Sequence, residues 1–343
     1  MKPSIRFFSN TFLKVPNEIM IEVTDSCNLD CGFCFNKLYV ERRNNKRALN
    51  TDSIKRIIDK IIDANVPVIR FTGGEPLLRL DIFELMNYAR KGGLRVWLNT
   101  NATLIDKEVA DKVAEYAENV LVPLNAYDGE SAKSITGANY FKRKLRGVIL
   151  LQNKGIKTLR CGTVATKANI SQLEKIHALV RRLNIADWEI FRPIPLSRDK
   201  LPVDNNDMAL LVEKLSAINM KTRKRYRIAN AIPFCCYDSR KVERVALGAI
   251  ADDGHSRFVI DTRGNAKPMY YLKEHIGNIF HDDIIDIWNH GFMKDMRRLN
   301  YVPEICKKCR YLKRCKGGSR ITSKIVLGDY RGIDYLARPA RHR

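Results

Sequence analysis

The 343-residue chain is 45% hydrophobic, enough for one large core with a smaller appended unit. It holds no apolar run approaching the ~20 residues that cross a bilayer, and Met1–Asn10 lacks the apolar stretch of a signal peptide, which predicts a cytoplasmic protein without a membrane span. The formal charge of +23, from 61 Lys and Arg against 38 Asp and Glu, favours nucleic acid, an acidic peptide or an anionic membrane surface without choosing among them. The positives concentrate only at Arg42–Arg47, Lys221–Arg227 and Arg338–Arg343, and no recognition motif accompanies them, so nucleic acid is not the favoured partner.

From Ile19 to about Pro195, short β-branched runs alternate with amphipathic stretches, the pattern of repeated βα units around a parallel sheet. The predicted strands are Ile19–Val23, Val66–Phe71, Leu94–Leu98, Val120–Leu124, Thr158–Val164 and Trp188–Phe191. Between the first two, Ile54, Ile57, Ile58, Ile61 and Ile62 mark one face of a helix, with Thr51 or Asp52 as N-cap. Similar faces occur at Ile82–Tyr88, Val109–Ala117, Phe141–Leu151 and Leu173–Leu183. Six repeats are too few for the eight-membered barrel; a partial (β/α)6 barrel or an open doubly wound sheet fits, with the site at the C-terminal ends of the strands in either case.

The rhythm breaks at Arg192-Pro193-Ile194-Pro195. The expected division is a barrel over 1–200, a connector over 201–245 that is helical from Asp204 to Arg227 and carries Cys235-Cys236, and a C-terminal unit over 246–343. That unit contains a hairpin-like stretch at Gly248–Asn265, a helix at Asp282–Asn289 and a late cysteine group.

Nine cysteines in a chain without an export signal point to reduced thiols, and their clustering points to metal. Cys27, Cys31 and Cys34 follow the first strand on one loop. Three close thiolates ligate three corners of a cubane and leave one iron open. By spacing alone, a partial zinc site or cysteines used as small core residues remain open readings. Cys161, on the fifth strand among small and apolar neighbours, reads as core.

After the second strand comes Gly73-Gly74-Glu75-Pro76. With this motif in place behind the cysteine loop, the chain resembles the radical S-adenosylmethionine superfamily. The resemblance implies a [4Fe–4S] cluster on Cys27, Cys31 and Cys34 whose fourth iron binds and splits S-adenosylmethionine. It further implies Phe33 near the adenine, Gly73 and Gly74 admitting the ligand close to the backbone, and Glu75 accepting from the cofactor's amino group. Asn99-Thr100-Asn101-Ala102 is similar to the family's Thr-Asn-Gly turn, which brings Asn101 to the cofactor. Asn125, ending the fourth strand, stands where a ribose contact is often found. Pro123 stands where peptide-modifying relatives often have serine. Arg160 is expected as a carboxylate partner, or else as an ordinary strand residue.

Cys306-Lys-Lys-Cys309, Cys315 and Ser319, with Ile276–Ile279 and Asp286–Asn289 upstream, resemble the SPASM domain of peptide- and protein-modifying radical enzymes. The full domain holds two auxiliary clusters on seven cysteines; here Met269 and Ser319 occupy two of those positions, which implies one auxiliary [4Fe–4S] cluster. The fold expected is therefore α/β, a partial barrel followed by a small α+β iron-sulfur domain. Cys306, Cys309 and Cys315 need a fourth ligand, for which Cys235 or Cys236 is the natural source, with Asp329 or an open iron as alternatives. Spacing alone leaves zinc open. Adjacent thiols do not readily share a cluster, so one stays free. Taking Cys235 as ligand leaves Cys236 either as a hydrogen-atom donor, as in the radical peptide epimerases, or as an inert buried cysteine.

The function this implies is modification of a ribosomally made peptide: the 5′-deoxyadenosyl radical removes an α-hydrogen and Cys236 returns hydrogen from the opposite face, inverting an L-residue to D. Oxidative cross-linking into a thioether or carbon–carbon bond is the first alternative. RNA, a tetrapyrrole or another small precursor as substrate is the second, and a non-catalytic RNA-binding scaffold the third. The partners expected are a peptide and a reductant such as flavodoxin or ferredoxin.

Overall fold

The computed structural model describes residues 13–35, 48–249, 254–270, 272 and 274–338. Met1–Asn10, the whole of the Arg42–Arg47 charge cluster, and all of Arg338–Arg343 but Arg338 lie outside them. None of the described helices is long and apolar enough to cross a membrane.

Six strands run parallel in chain order: β1 (Glu18–Glu22), β2 (Val68–Thr72), β3 (Arg95–Asn99), β4 (Asn119–Pro123), β5 (Thr158–Val164) and β6 (Asp187–Phe191). Helices α1 (Thr51–Asp63), α2 (Ile82–Lys91), α3 (Lys107–Tyr116), α4 (Gly129–Thr136), α5 (Phe141–Asn153) and α6 (Leu173–Arg182) cover the sheet. The isoleucine stripe of α1 is the buried face, with Ile54, Ile57, Ile58 and Ile61 at 1% exposure or less, each contributing about 1.5–3 kcal/mol of hydrophobic burial. Its N-cap is Asn50, one residue before the expected pair, accepting from the Ser53 amide at 2.9 Å.

Two features differ from the sequence pattern. The short helix α4 was not expected, because only Ala132, Ile135 and Thr136 of its eight residues are buried; a capping box between Asp128 and Ser131 and a left-handed Gly137 define its ends. The sheet also runs across both expected divisions. After the helical connector α7 (Asn205–Thr222), capped by Asp204, strand β7 (Arg227–Ile228) adds to β6. Helix α8 (Ser239–Val245) follows, and then β8 (Arg257–Ile260) pairs in parallel with β1 at the opposite side of the sheet. An antiparallel hairpin to β9 (Asn265–Lys267) and β10 (Gly277–Asn278) completes ten strands in the order β10-β9-β8-β1-β2-β3-β4-β5-β6-β7. Five short helices follow among the described residues: α9 (Ile284–Trp288), α10 (Gly291–Arg298), α11 (Glu304–Lys307), α12 (Leu312–Cys315) and α13 (Arg320–Leu327).

Alternation along β1 sends Ile19 and Ile21 into the core under the helices and Glu18 and Glu22 to the other face. There Glu18 meets Arg70 and, at 3.5 Å, Arg257, while Glu22 is clasped by the buried Lys267 at 2.8 and 2.9 Å.

Candidate active site and auxiliary metal site

Three loops at the C-terminal ends of β1, β2 and β3 are laced together. Gly74 and Glu75 donate their amides to the carbonyls of Thr24 and Ser26 at 2.7 and 2.8 Å, which seats the Gly-Gly-Glu-Pro loop beside the approach to Cys27. The glycines are required: Gly73 has φ +131°, and a Cβ at Gly73 or Gly74 would fall on the carbonyl oxygen of Thr24 or Ser26. The Glu75 carboxylate is buried and accepts from the Thr100 hydroxyl and the Asn101 amide at 2.7 Å each, and from the Leu77 amide at 3.1 Å. Burial pushes its pKa up against these hydrogen bonds.

Asn101 closes the lacing from the other side. Its amide donates to Asn28, inside the cysteine loop, at 2.8 Å, and Asn28 in turn donates to Thr103 at 2.8 Å. Cys27 is exposed, Cys31 and Cys34 half-buried, and Phe33 packs partly buried on the core. Gly73, Gly74, Glu75 and Asn101 thus lie against the segment that carries Cys27, Cys31 and Cys34, through Thr24, Ser26 and Asn28. Asn28, Thr100 and Thr103 belong to the same network; their signal in the sequence was only adjacency to the motifs.

Two further expected residues, Asn125 and Arg160, are bonded to neighbouring strands. Asn125 is buried and its Oδ1 accepts from the Val164 amide at 2.8 Å, pinning the end of β4 to β5. Arg160 lies mid-strand, opposite Leu121 and Asp187, where its Nη1 pairs with Glu189 at 2.7 Å and its Nε donates to Asn119 at 3.0 Å. Its Nε and Nη1 are engaged among the strands, while its buried Nη2 makes no hydrogen bond to a described residue.

The second cysteine group assembles around one cavity of about 1380 Å³ lined by Cys235, Cys306, Cys309 and Cys315. Three sit on or between α11 and α12, and Cys235 comes from a short turn before α8. Burial pushes the thiols of Cys235 and Cys315 up to about 11. No group of three or more ligands among the described residues is drawn in far enough to hold a single metal ion. Four thiols around one cavity match the ligand number of a [4Fe–4S] cluster. Asp329 does not line this cavity; its carboxylate caps the Arg331 amide at 3.0 Å. Met269 packs with Ile194, Leu272 and Ile321, and Ser319 caps α13, so the two missing cysteine positions have become an apolar contact and a helix cap.

Cys236 faces the other way. It is 1% exposed, belongs to the main apolar core, and does not line the cavity. Burial pushes its thiol far up. Cys161 is likewise 1% exposed within the core. A thiol enclosed by packed side chains presents no path to a substrate carbon in this conformation, so the donor role expected of Cys236 requires that packing to open.

Residues 21–180 match the model of the radical SAM superfamily, and residues 231–310 that of the SPASM iron-sulfur cluster-binding domain. The chain is 31% identical over 318 residues to mycofactocin maturase MftC of Mycolicibacterium smegmatis, covering 89% of this chain and 78% of that protein. The chain belongs to the radical SAM superfamily.

This radical SAM enzyme is also 27% identical over 330 residues to an AdoMet-dependent heme synthase of Nitratidesulfovibrio vulgaris, covering 90% of this chain and 88% of that protein. In fold it is similar to Streptococcus suis SuiB bound to precursor peptide SuiA, with a TM-score of 0.76 at 20% identity, covering 95% of this chain and 76% of that one. Its cofactors are S-adenosylmethionine, the [4Fe–4S] cluster that binds it, and an auxiliary [4Fe–4S] cluster. Bound to this radical SAM enzyme, they would supply one-electron chemistry that removes hydrogen from a substrate.

Proposed function

We propose that this radical SAM enzyme oxidises a peptide substrate, removing hydrogen from it without returning a hydrogen atom from a protein thiol. The observation that carries this reading is the disposition of the nine cysteines: three on the first loop, four around the auxiliary cavity, and the remaining two, Cys161 and Cys236, enclosed in the core. Inversion of an L-residue needs a donor on the face opposite abstraction, and Cys236 is the residue that reading relied on. An oxidative reaction needs none. Cross-linking, as a thioether or carbon–carbon bond, is the outcome this favours.

A peptide substrate is supported by the likeness to a maturase at 31% identity together with the fold shared with SuiB, whose structure holds a precursor peptide. A second reading, a tetrapyrrole substrate, is favoured by the heme synthase likeness, which spans nearly the whole of both chains. A reductant such as flavodoxin or ferredoxin would deliver the electron in either case.

The test is to incubate the anaerobically reconstituted, reduced enzyme with S-adenosylmethionine and peptides encoded beside its gene, in deuterated water, and to weigh the products. A peptide lighter by two hydrogens supports oxidation. Solvent deuterium at an α-carbon establishes epimerisation instead and returns Cys236 to the mechanism. Unchanged peptide, with 5′-deoxyadenosine formation stimulated by a tetrapyrrole, moves the substrate to the second class.

A further inference from the structure

Helix α5 carries a lysine on its buried face. Lys144 is 7% exposed and shares that face with Phe141, Gly147, Val148 and Leu151. An ammonium there is costly unless compensated. Its Nζ donates to the carbonyl of Pro123 at 2.9 Å, at the C-terminal end of β4, and among the described residues no carboxylate stands within ion-pair distance of it. Burial lowers the pKa of this ammonium, opposed in order by the fields of Cys31, Glu75 and Cys27.

The placement is built. One turn along α5, Gly147 lies so close to Ala102 that a Cβ would fall on the Ala102 carbonyl, which clamps the helix to the turn holding Asn101. Leu29, between the first two cysteines, shares the wall of a small pocket with Lys144, Thr136 and Asn125. The Gly32 amide donates to the Ile135 carbonyl of α4 at 3.3 Å, holding the cysteine loop against the same elbow.

We propose that Lys144 is the counter-charge of the three-cysteine cluster and raises its reduction potential. Three thiolates make that site electronegative, and reduction adds one more negative charge; a fixed cation behind the loop stabilises the reduced state over the oxidised one. The inference rests on the cofactor of the superfamily and not on the choice of substrate.

The experiment is a potentiometric titration followed by electron paramagnetic resonance on the reconstituted full-length enzyme, with no substrate and no S-adenosylmethionine, so its outcome is independent of the peptide reading. Lys144→Gln keeps a donor for Pro123 and removes the charge; Lys144→Met removes both; Lys144→Arg keeps the charge. The two neutral variants are expected to disfavour reduction of the three-cysteine cluster at least tenfold, ~59 mV for a one-electron couple. The auxiliary cluster in the same sample stays unmoved and Lys144→Arg stays near wild type. Equal shifts at both clusters, or none at either, overturn the proposal. Loss of the three-cysteine cluster in the neutral variants with retention in Lys144→Arg supports it; loss in all three assigns Lys144 to packing and overturns it.

Discussion

Arg192, just past the end of β6, and Asp334, near the C-terminus, form a bidentate ion pair at 2.7 and 2.9 Å with both side chains fully buried. Asp334 also accepts from the Ser319 amide at 2.8 Å, and the Arg192 amide is held by Asn230 at 2.8 Å. The pair therefore joins the barrel, the segment beneath the auxiliary cavity and the chain end. Burial alone would push the Asp334 carboxyl up; the Arg192 guanidinium overrides it and holds the group below the usual carboxylate range.

Removing one member leaves the other charged and enclosed. Asp334→Ala is expected to cost about 3–5 kcal/mol, whereas replacing both residues with apolar ones costs less than that single change. Denaturant unfolding of the single and double variants, compared at their midpoints, checks this; equal losses would show that the charge itself is not what the fold depends on.

The two adjacent cysteines have separable roles. Cys235→Ser is expected to lose the auxiliary cluster and about half the bound iron, because Cys235 completes the cavity with Cys306, Cys309 and Cys315. Cys236→Ser keeps full iron content but lowers the unfolding midpoint, since it puts a hydroxyl among apolar neighbours. Iron quantification with thermal unfolding distinguishes the two, and a reversed pattern would exchange the ligand assignment.

Glu75 ties Thr100, Asn101 and Leu77 together, and the resemblance to the superfamily implies that it accepts from the cofactor's amino group. Glu75→Gln places an amide nitrogen against at least one of these donors, so S-adenosylmethionine binding is expected to weaken tenfold or more. Equilibrium dialysis against labelled cofactor measures it; an unchanged dissociation constant would remove Glu75 from the binding role.

One acid-range effect has a defined sign. The hydrogen bond from Arg95 at 2.7 Å, opposed by burial and aided by Lys157, holds Glu118 at about 2, below its ordinary 4.5. A depressed carboxylate contributes stability that is present above 4.5 and lost as pH falls towards 2. Wild type is therefore expected to melt above Glu118→Gln near neutral pH, with the gap narrowing between pH 4.5 and 2. A gap constant across that window would mean the pair contributes through shape alone. Thermal scans of the cluster-free protein at stepped pH read it directly.

Much of this protein is written locally. The six parallel strands, the isoleucine face of α1, the cysteine loop and the Gly-Gly-Glu-Pro turn were legible because each depends on spacing within a few residues: period two or 3.6 for the elements, ligand and backbone geometry for the motifs. What spacing cannot carry is partnership between distant segments. That β8 joins β1, that Arg160 pairs with Glu189, and that Lys144 shares a pocket wall with Leu29 of the cysteine loop follow from which elements the sheet order and helix packing bring together. The same holds for Cys235 and Cys236: neighbours in sequence and alike in chemistry, they are parted by the direction of one short turn, which sends one thiol to the auxiliary cavity and the other into the core.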